Sequence, residues 1–323
     1  MRRMFMLLGM LAMGMAGTAA QTAYAANVKI TPLGSHDGEF CARDRALIFE
    51  DPDGTRILYD AGFTVRGADD PRLGKIDAVL LSHVHGDHLG PAHQPAANAG
   101  ECGKPDFSVN DTPNSNTVNI VVGKKAKFLV GGEQNSFFPL KVKAAGGDPS
   151  LVQVLRFGAE SKAGGVRIAT VPAAHTNGLP PEFLEKELGE SLKANGLTAY
   201  IGPPAGFVLR FTNGLVAYLS GDTGVTAEQD LVVRRYYKAN LAVMNIGGVF
   251  TTGPTEAAYV IDTLVKPKSV IASHANEVAT KGGKLLPGSK TAAFKKATHV
   301  PVYVPLSGKT MEFNGAAKCV AGC

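Results

Sequence analysis

The chain has 323 residues, of which 45% are hydrophobic and 19% charged, with a formal net charge of +5. Such a mixture carries a sizeable core and excludes an intrinsically disordered chain. The mild positive charge falls to +3 once residues 1–25 are set aside, which excludes the basic footprint of a nucleic-acid binder.

Residues 1–25 differ in kind from the rest. Arg2 and Arg3 precede an apolar run from Met4 to Ala16, and Ala23-Tyr24-Ala25 offers small residues before a cleavage point. This reads as a secretory signal peptide cut before Ala26. A membrane anchor is the competing reading, but the run is shorter than the roughly 20 apolar residues a spanning helix needs. Arg2-Arg3 is a faint twin-arginine signal that does not choose an exporter. The mature product is expected as one domain over residues 26–323, periplasmic or secreted, with no membrane contact after signal removal. In that oxidising setting the four Cys favour disulfides over a Cys-held metal, since no Cys-x-x-Cys spacing occurs. Cys319 with Cys323 and Cys41 with Cys102 is one of three connectivities, among which the sequence does not choose.

Val28–Pro32 reads as a strand, followed by a polar turn through Gly34, His36 and Gly38. Residues 46–49 and 56–59 are two more β-type runs joined by the turn sequence Asp51-Pro52-Asp53-Gly54. A buried strand over residues 77–81 then runs into Ser82-His83-Val84-His85-Gly86-Asp87-His88. In an extended segment side chains alternate, so His83 and His85 face the same way and can grip one cation. Gly86 lets the backbone bend, which can turn Asp87 and His88 toward a second. Turn chemistry favours Gly, Asn and Asp, and gives no reason to gather three His in six positions.

Residues 91–117 read as a long loop and 118–122 as a strand. Residues 152–156 and 166–171 are two more strands, the second running into His175. A helical piece over residues 182–194 follows, then a hairpin of residues 207–211 and 215–219 that delivers Ser220-Gly221-Asp222-Thr223-Gly224. Thr226 is placed to cap a helix reaching about Lys238. The final third alternates: a strand at 241–245, a helix from Gly253-Pro254-Thr255, a strand at 269–273 ending at His274, a helix at 289–298, and residues 302–304 closing the fold. Four apolar runs thus end in a candidate ligand, namely His83, His175, Asp222 and His274. Ligands at the same ends of neighbouring strands are how a rigid sheet presents a site.

With these residues in view, the chain resembles the metallo-β-lactamase superfamily over essentially all of residues 26–323. His83-Val84-His85-Gly86-Asp87-His88 matches its His-x-His-x-Asp-His signature without a gap. The resemblance implies an α+β fold, a four-layer αβ/βα sandwich. By position it implies that His83, His85 and His175 hold a first metal, that Asp87, His88 and His274 hold a second, and that Asp222 bridges them. Asp60 resembles an early Asp that orients a ligand. Ser220-Gly221-Asp222-Thr223-Gly224, Asn245-Ile246-Gly247-Gly248 and Pro267-Lys268 resemble the ascorbate-phosphate lactonase-like branch. Ala275-Asn276 departs from that branch, which often shows an aromatic residue and Gly there. Common β-lactamases carry Cys where Asp222 stands.

The implied function is an exported metal-dependent hydrolase that cleaves an ester, lactone or phosphodiester bond of a small molecule. Its cofactor would be two divalent ions, zinc above all, with manganese or iron also suited to the ligand set. Asp87 and Asp222 would be catalytic through a bridging metal hydroxide. The alternatives are an iron-dependent oxidoreductase resembling persulfide dioxygenases and a non-catalytic metal-binding protein. His36, His93 and His299 carry no assigned role, and oligomeric state is not readable.

Overall fold

The computed structural model describes residues 26–323, so the signal-peptide reading falls outside the described residues. Alternation within short apolar strands builds the layers. In Arg56–Tyr59, Ile57 and Tyr59 face one side and Leu58 the other, and all three are buried. A strand buried on both faces needs cover on both.

In chain order the strands of the two main sheets are β1 (Val28–Pro32), β2 (Leu47–Glu50), β3 (Arg56–Tyr59), β4 (Ala78–Leu80), β5 (Lys127–Val130), β6 (Val152–Val154), β7 (Glu160–Ala163), β8 (Val166–Pro172), β9 (Ala205–Arg210), β10 (Val216–Leu219), β11 (Leu241–Asn245), β12 (Ser269–Ser273), β13 (Val302–Tyr303), β14 (Met311–Phe313) and β15 (Cys319–Ala321). The eight-stranded sheet runs β6-β5-β4-β3-β2-β1-β14-β15 and the seven-stranded sheet β7-β8-β9-β10-β11-β12-β13. Strands β3 to β6 are parallel, as are β10 to β13, and the antiparallel pairs come from hairpins together with the longer-range pairs β1–β14 and β8–β9.

Between the sheets, Ile57, Tyr59, Ala78 and Leu80 pack against Phe207, Leu209, Leu219 and Val243 in one core. Outside the first sheet, Leu58, Val79 and Phe128 meet Val118, Val121, Phe138 and Val142 from helices α1 (Asn116–Lys124) and α2 (Gln134–Ala144). Outside the second, Tyr218, Ala242 and Met244 meet Val233, Ile261 and Phe294 from the helices at Gln229–Tyr236, Val260–Val265 and Lys290–Ala297. This is the four-layer αβ/βα sandwich expected from the sequence.

Four local expectations are corrected. Residues 118–122 are helix: Ser115 Oγ accepts from Val118 N at 3.1 Å, and Asn116 Nδ2 donates to the Gly62 and Val65 carbonyls, so capping and tertiary bonds override a β-branched run. Residues 91–117 hold two small ribbons, Ala92–His93 with Val109–Asn110 and Gly100–Glu101 with Lys104–Pro105. Thr226 does not cap with its hydroxyl; Gln229 Oε1 reaches back to accept from Thr226 N at 3.0 Å. Residues 302–304 do not close the fold, because β14 returns to pair with β1. Both disulfides take the pairing set out above, Cys41 with Cys102 and Cys319 with Cys323.

Candidate metal centre

The four ligand-bearing strand ends meet at one edge of the two sheets. Behind β4, Asp60 Oδ1 accepts from Ser82 N and Oδ2 from Ser82 Oγ, both at 2.8 Å, which fixes the chain as it enters the motif. Val84 N donates to Asn177 Oδ1 at 2.8 Å, tying the motif to the loop that follows β8. That loop is clamped in turn to the one after β10: Ala174 N donates to Thr223 Oγ1 and Gly224 N to Ala174 O, each at 3.0 Å. Gly221 stands at φ 58°, where a Cβ would lie 2.6 Å from the Ala205 carbonyl, and its N–H donates to Tyr59 Oη at 3.1 Å. The chain therefore needs Gly immediately before Asp222. After β12, His274 and Asn276 adopt φ of 51° and 56°, costly conformations for residues with side chains.

All seven residues expected in the site come together in three overlapping groups: His83, His85 and His175; His83, His88 and Asp222; Asp87, His88 and His274. His83 Nε2 and His175 Nε2 lie 3.0 and 3.2 Å from His85 Nδ1. Asp222 faces both sides, with Oδ1 3.4 Å from His88 Nε2 and Oδ2 3.0 Å from His274 Nε2, 3.7 Å from His175 Nε2 and 3.8 Å from His83 Nε2. Asp87 Oδ2 lies 3.3 Å from His274 Nε2. Two of these groups are the triads named from the sequence, and the third joins His83, His88 and Asp222 across them. Asp60 takes the place the sequence suggested, with its Oδ2 2.8 Å from His88 Nδ1.

The donor set suits divalent cations. His88 Nε2, His274 Nε2 and Asp222 Oδ1 are buried without a hydrogen-bond partner although they face one another, a costly arrangement unless a cation satisfies them. Burial holds the His83, His85 and His175 imidazoles below their ordinary pKa, leaving neutral rings with free lone pairs. Burial also opposes charge on His88, but Asp222, Asp60 and Asp87 outweigh it and raise that ring well above the usual range. Asp87 and Asp222 are held well below the ordinary carboxylate value: burial opposes their charge, and the His88 charge and further His contacts overcome it. Three carboxylates here demand positive charge, which a metal ion supplies.

Three features were missed in the sequence. Arg45 Nη2 lies 3.1 Å from Asp87 Oδ2. Lys290 Nζ donates to the Gly247 carbonyl at 2.6 Å. A cavity of about 750 Å³ opens over the centre between Arg43, Gly103, Asn276, Lys290, Val249 and Phe250. The only signal for Arg45 is a charged residue directly before a buried strand. His36, His93 and His299 stand apart from the cluster, bonded to the Gly100 carbonyl, Asp111 and Asp262.

The chain is similar to known proteins by sequence and by fold. A family model described as a beta-lactamase superfamily domain matches residues 44–274. A UPF0173 metal-dependent hydrolase of Cupriavidus necator is 27% identical over 275 residues, covering 81% of each chain. A relative of the same description from Pelotomaculum thermopropionicum is 30% identical over 240 residues, covering 74% of this chain and 83% of its own. Among solved structures, the metallo hydrolase Igni18 of Ignicoccus hospitalis superposes with a TM-score of 0.59 at 21% identity, covering 89% of this chain and 99% of its own.

Proposed function

Because this chain belongs to the beta-lactamase superfamily and to its metal-dependent hydrolases, we propose that it hydrolyses an ester, lactone or phosphodiester bond of a small molecule at the seven-residue centre. The observation that carries this reading is the set of buried, unpartnered His and Asp atoms facing one another at the edge of both sheets. His83, His85 and His175 would hold one divalent ion, Asp87, His88 and His274 a second, and Asp222 would lie between them, with zinc the best match to imidazole and carboxylate donors. When bound, such ions supply a water of lowered pKa and polarise the substrate oxygen.

The chain's own residues do the rest. Asp60 holds His88 so that Nε2 points inward, and Arg45 holds Asp87. Asp87 and Asp222 face the enclosed space between the imidazoles, where their carboxylates would orient the attacking water. Arg43 and Lys290 flank the cavity, while Val249 and Phe250 form an apolar lip that sheds solvent from a bound substrate. We also take residues 26–323 as one exported domain, a reading supported by the apolar N-terminal run and by the two disulfides.

The test is elemental analysis of the purified mature chain, followed by an anaerobic assay panel of lactones, phosphodiesters, carboxylic esters and β-lactams. Oxygen-independent cleavage of a lactone, phosphodiester or carboxylic ester, abolished in folded His83→Ala and Asp222→Ala variants, is expected. A chain that purifies without metal, or turns over only with oxygen, overturns the proposal.

A further inference from the structure

Arg45 sits behind one half of the metal centre, and only 2% of its side chain is exposed. It donates from Nε and Nη2 to Asp87 Oδ2 at 3.3 and 3.1 Å, from Nη1 to the Asp44 and Ala42 carbonyls at 3.0 and 3.4 Å, and from Nη2 to Asn276 Oδ1. The oxygen it grips is the one that faces His274 Nε2 at 3.3 Å and His88 Nε2 at 3.8 Å. Guanidinium and cation would therefore draw on the same carboxylate oxygen.

The two halves are unequal in this respect. Among the described residues no Lys or Arg forms an ion pair with Asp222, and the neighbours of His83 and His85 outside the cluster are the Ser82 and Thr176 hydroxyls, which are neutral. A guanidinium stays charged at every relevant pH. In a protein interior its repulsion of a cation a few ångströms away is weakly screened. By polarising Asp87 it also makes that carboxylate a poorer donor, the reverse of what Asp60 does behind His88.

We propose that Arg45 is a positioning residue that lowers the cation affinity of the Asp87, His88 and His274 position, making it the exchangeable one while His83, His85 and His175 retain their ion. The proposal rests on the metal-centre reading above. It implies that the second ion is set by supply in the surroundings, so that the chain can hold one cation or two.

The experiment is a calorimetric titration of the full mature chain with Zn²⁺ alone, repeated in competition with a chromophoric chelator. Two binding events are expected, the second weaker by about tenfold or more and missing in His274→Ala. Arg45→Gln should tighten the second event by about tenfold and leave the first unchanged. Asn276→Asp keeps Arg45 but offers its guanidinium a neutralising carboxylate, and should act in the same direction. Two events of equal affinity in the wild type, or a second event unchanged or weaker in folded Arg45→Gln, overturn the proposal. If Arg45→Gln does not fold, the same result in Asn276→Asp does so. Zinc failing to bind at all would instead overturn the metal-centre reading.

Discussion

Asp60 Oδ2 accepts from His88 Nδ1 at 2.8 Å, and the same carboxylate receives both the backbone N–H and the hydroxyl of Ser82. Nδ1 of His88 is thereby fixed as the donor, and Nε2 is left facing Asp222 Oδ1 at 3.4 Å. One side chain sets the tautomer of an imidazole and the position of the strand end that carries it.

Asp60→Asn tests this link with almost no change in volume. The Asn oxygen can still accept from Ser82 N, but its amide then faces His88 Nδ1 with a hydrogen and forces the other tautomer. Metal affinity is expected to fall about 10–100-fold, measured by chelator competition, with the circular dichroism spectrum retained. An unchanged affinity would show that the contact is only structural.

The Cys41–Cys102 disulfide closes a separation of 61 residues and stands beside Ala42, Arg43 and Gly103 on the cavity wall. Replacing both Cys by Ser should cost about 4 kcal/mol by the loop-entropy argument. Thermal unfolding with and without reductant checks it: reductant should lower the wild-type midpoint by far more than that of the double variant, which keeps only the four-residue Cys319–Cys323 loop.

Phe250 is 74% exposed beside His175 and Asp222, on a loop whose neighbour Val249 has φ 58°. Solvent exposure of so large a ring at the mouth of a cavity fits contact with substrate. Phe250→Ala should raise KM about tenfold for an aryl ester, corresponding to about 1.4 kcal/mol of lost apolar contact, and change kcat little. A fall in kcat at constant KM would move Phe250 from substrate binding to the chemistry.

Asp70 offers a pH test at a carboxyl outside the metal-centre groups. Burial works against its charge, but hydrogen bonds from Arg72, the Arg72 charge and two backbone N–H groups outweigh it and hold the carboxyl below its ordinary value. A carboxyl depressed in the folded state stabilises fully above the unfolded value of about 3.9, and that contribution disappears as pH falls through the folded value. Asp70→Asn should therefore cost roughly 2 kcal/mol at pH 7 and flatten the acid limb of the stability curve, read by urea unfolding from pH 7 to 3.

The sequence made the site more legible than the scaffold around it. Three His and an Asp in six positions have no turn-forming purpose, and the apolar runs ending at His175, Asp222 and His274 supplied the partners. The helix over residues 116–124 was hidden because its β-branched residues read as strand, while its causes lie in the Ser115 cap and in the Gly62 and Val65 carbonyls more than fifty residues away. The β5 strand and the helix Gln134–Ala144 went unread, since four residues and a Pro-containing stretch give little periodicity. Arg45 was invisible for a different reason: nothing local distinguishes a guanidinium that will be buried against Asp87 from one left in water.

The pairing of β1 with β14 carries a consequence for assembly. Val28 meets Phe313 and Ile30 meets Met311, so a strand made early waits for a neighbour 285 residues further along the chain. Until then one flank of β1 presents bare amides and carbonyls, an adhesive margin that invites misassociation with other chains. Loss of residues 311–323 would leave that margin permanently open, turning a truncation outside the metal-centre residues into a defect of solubility.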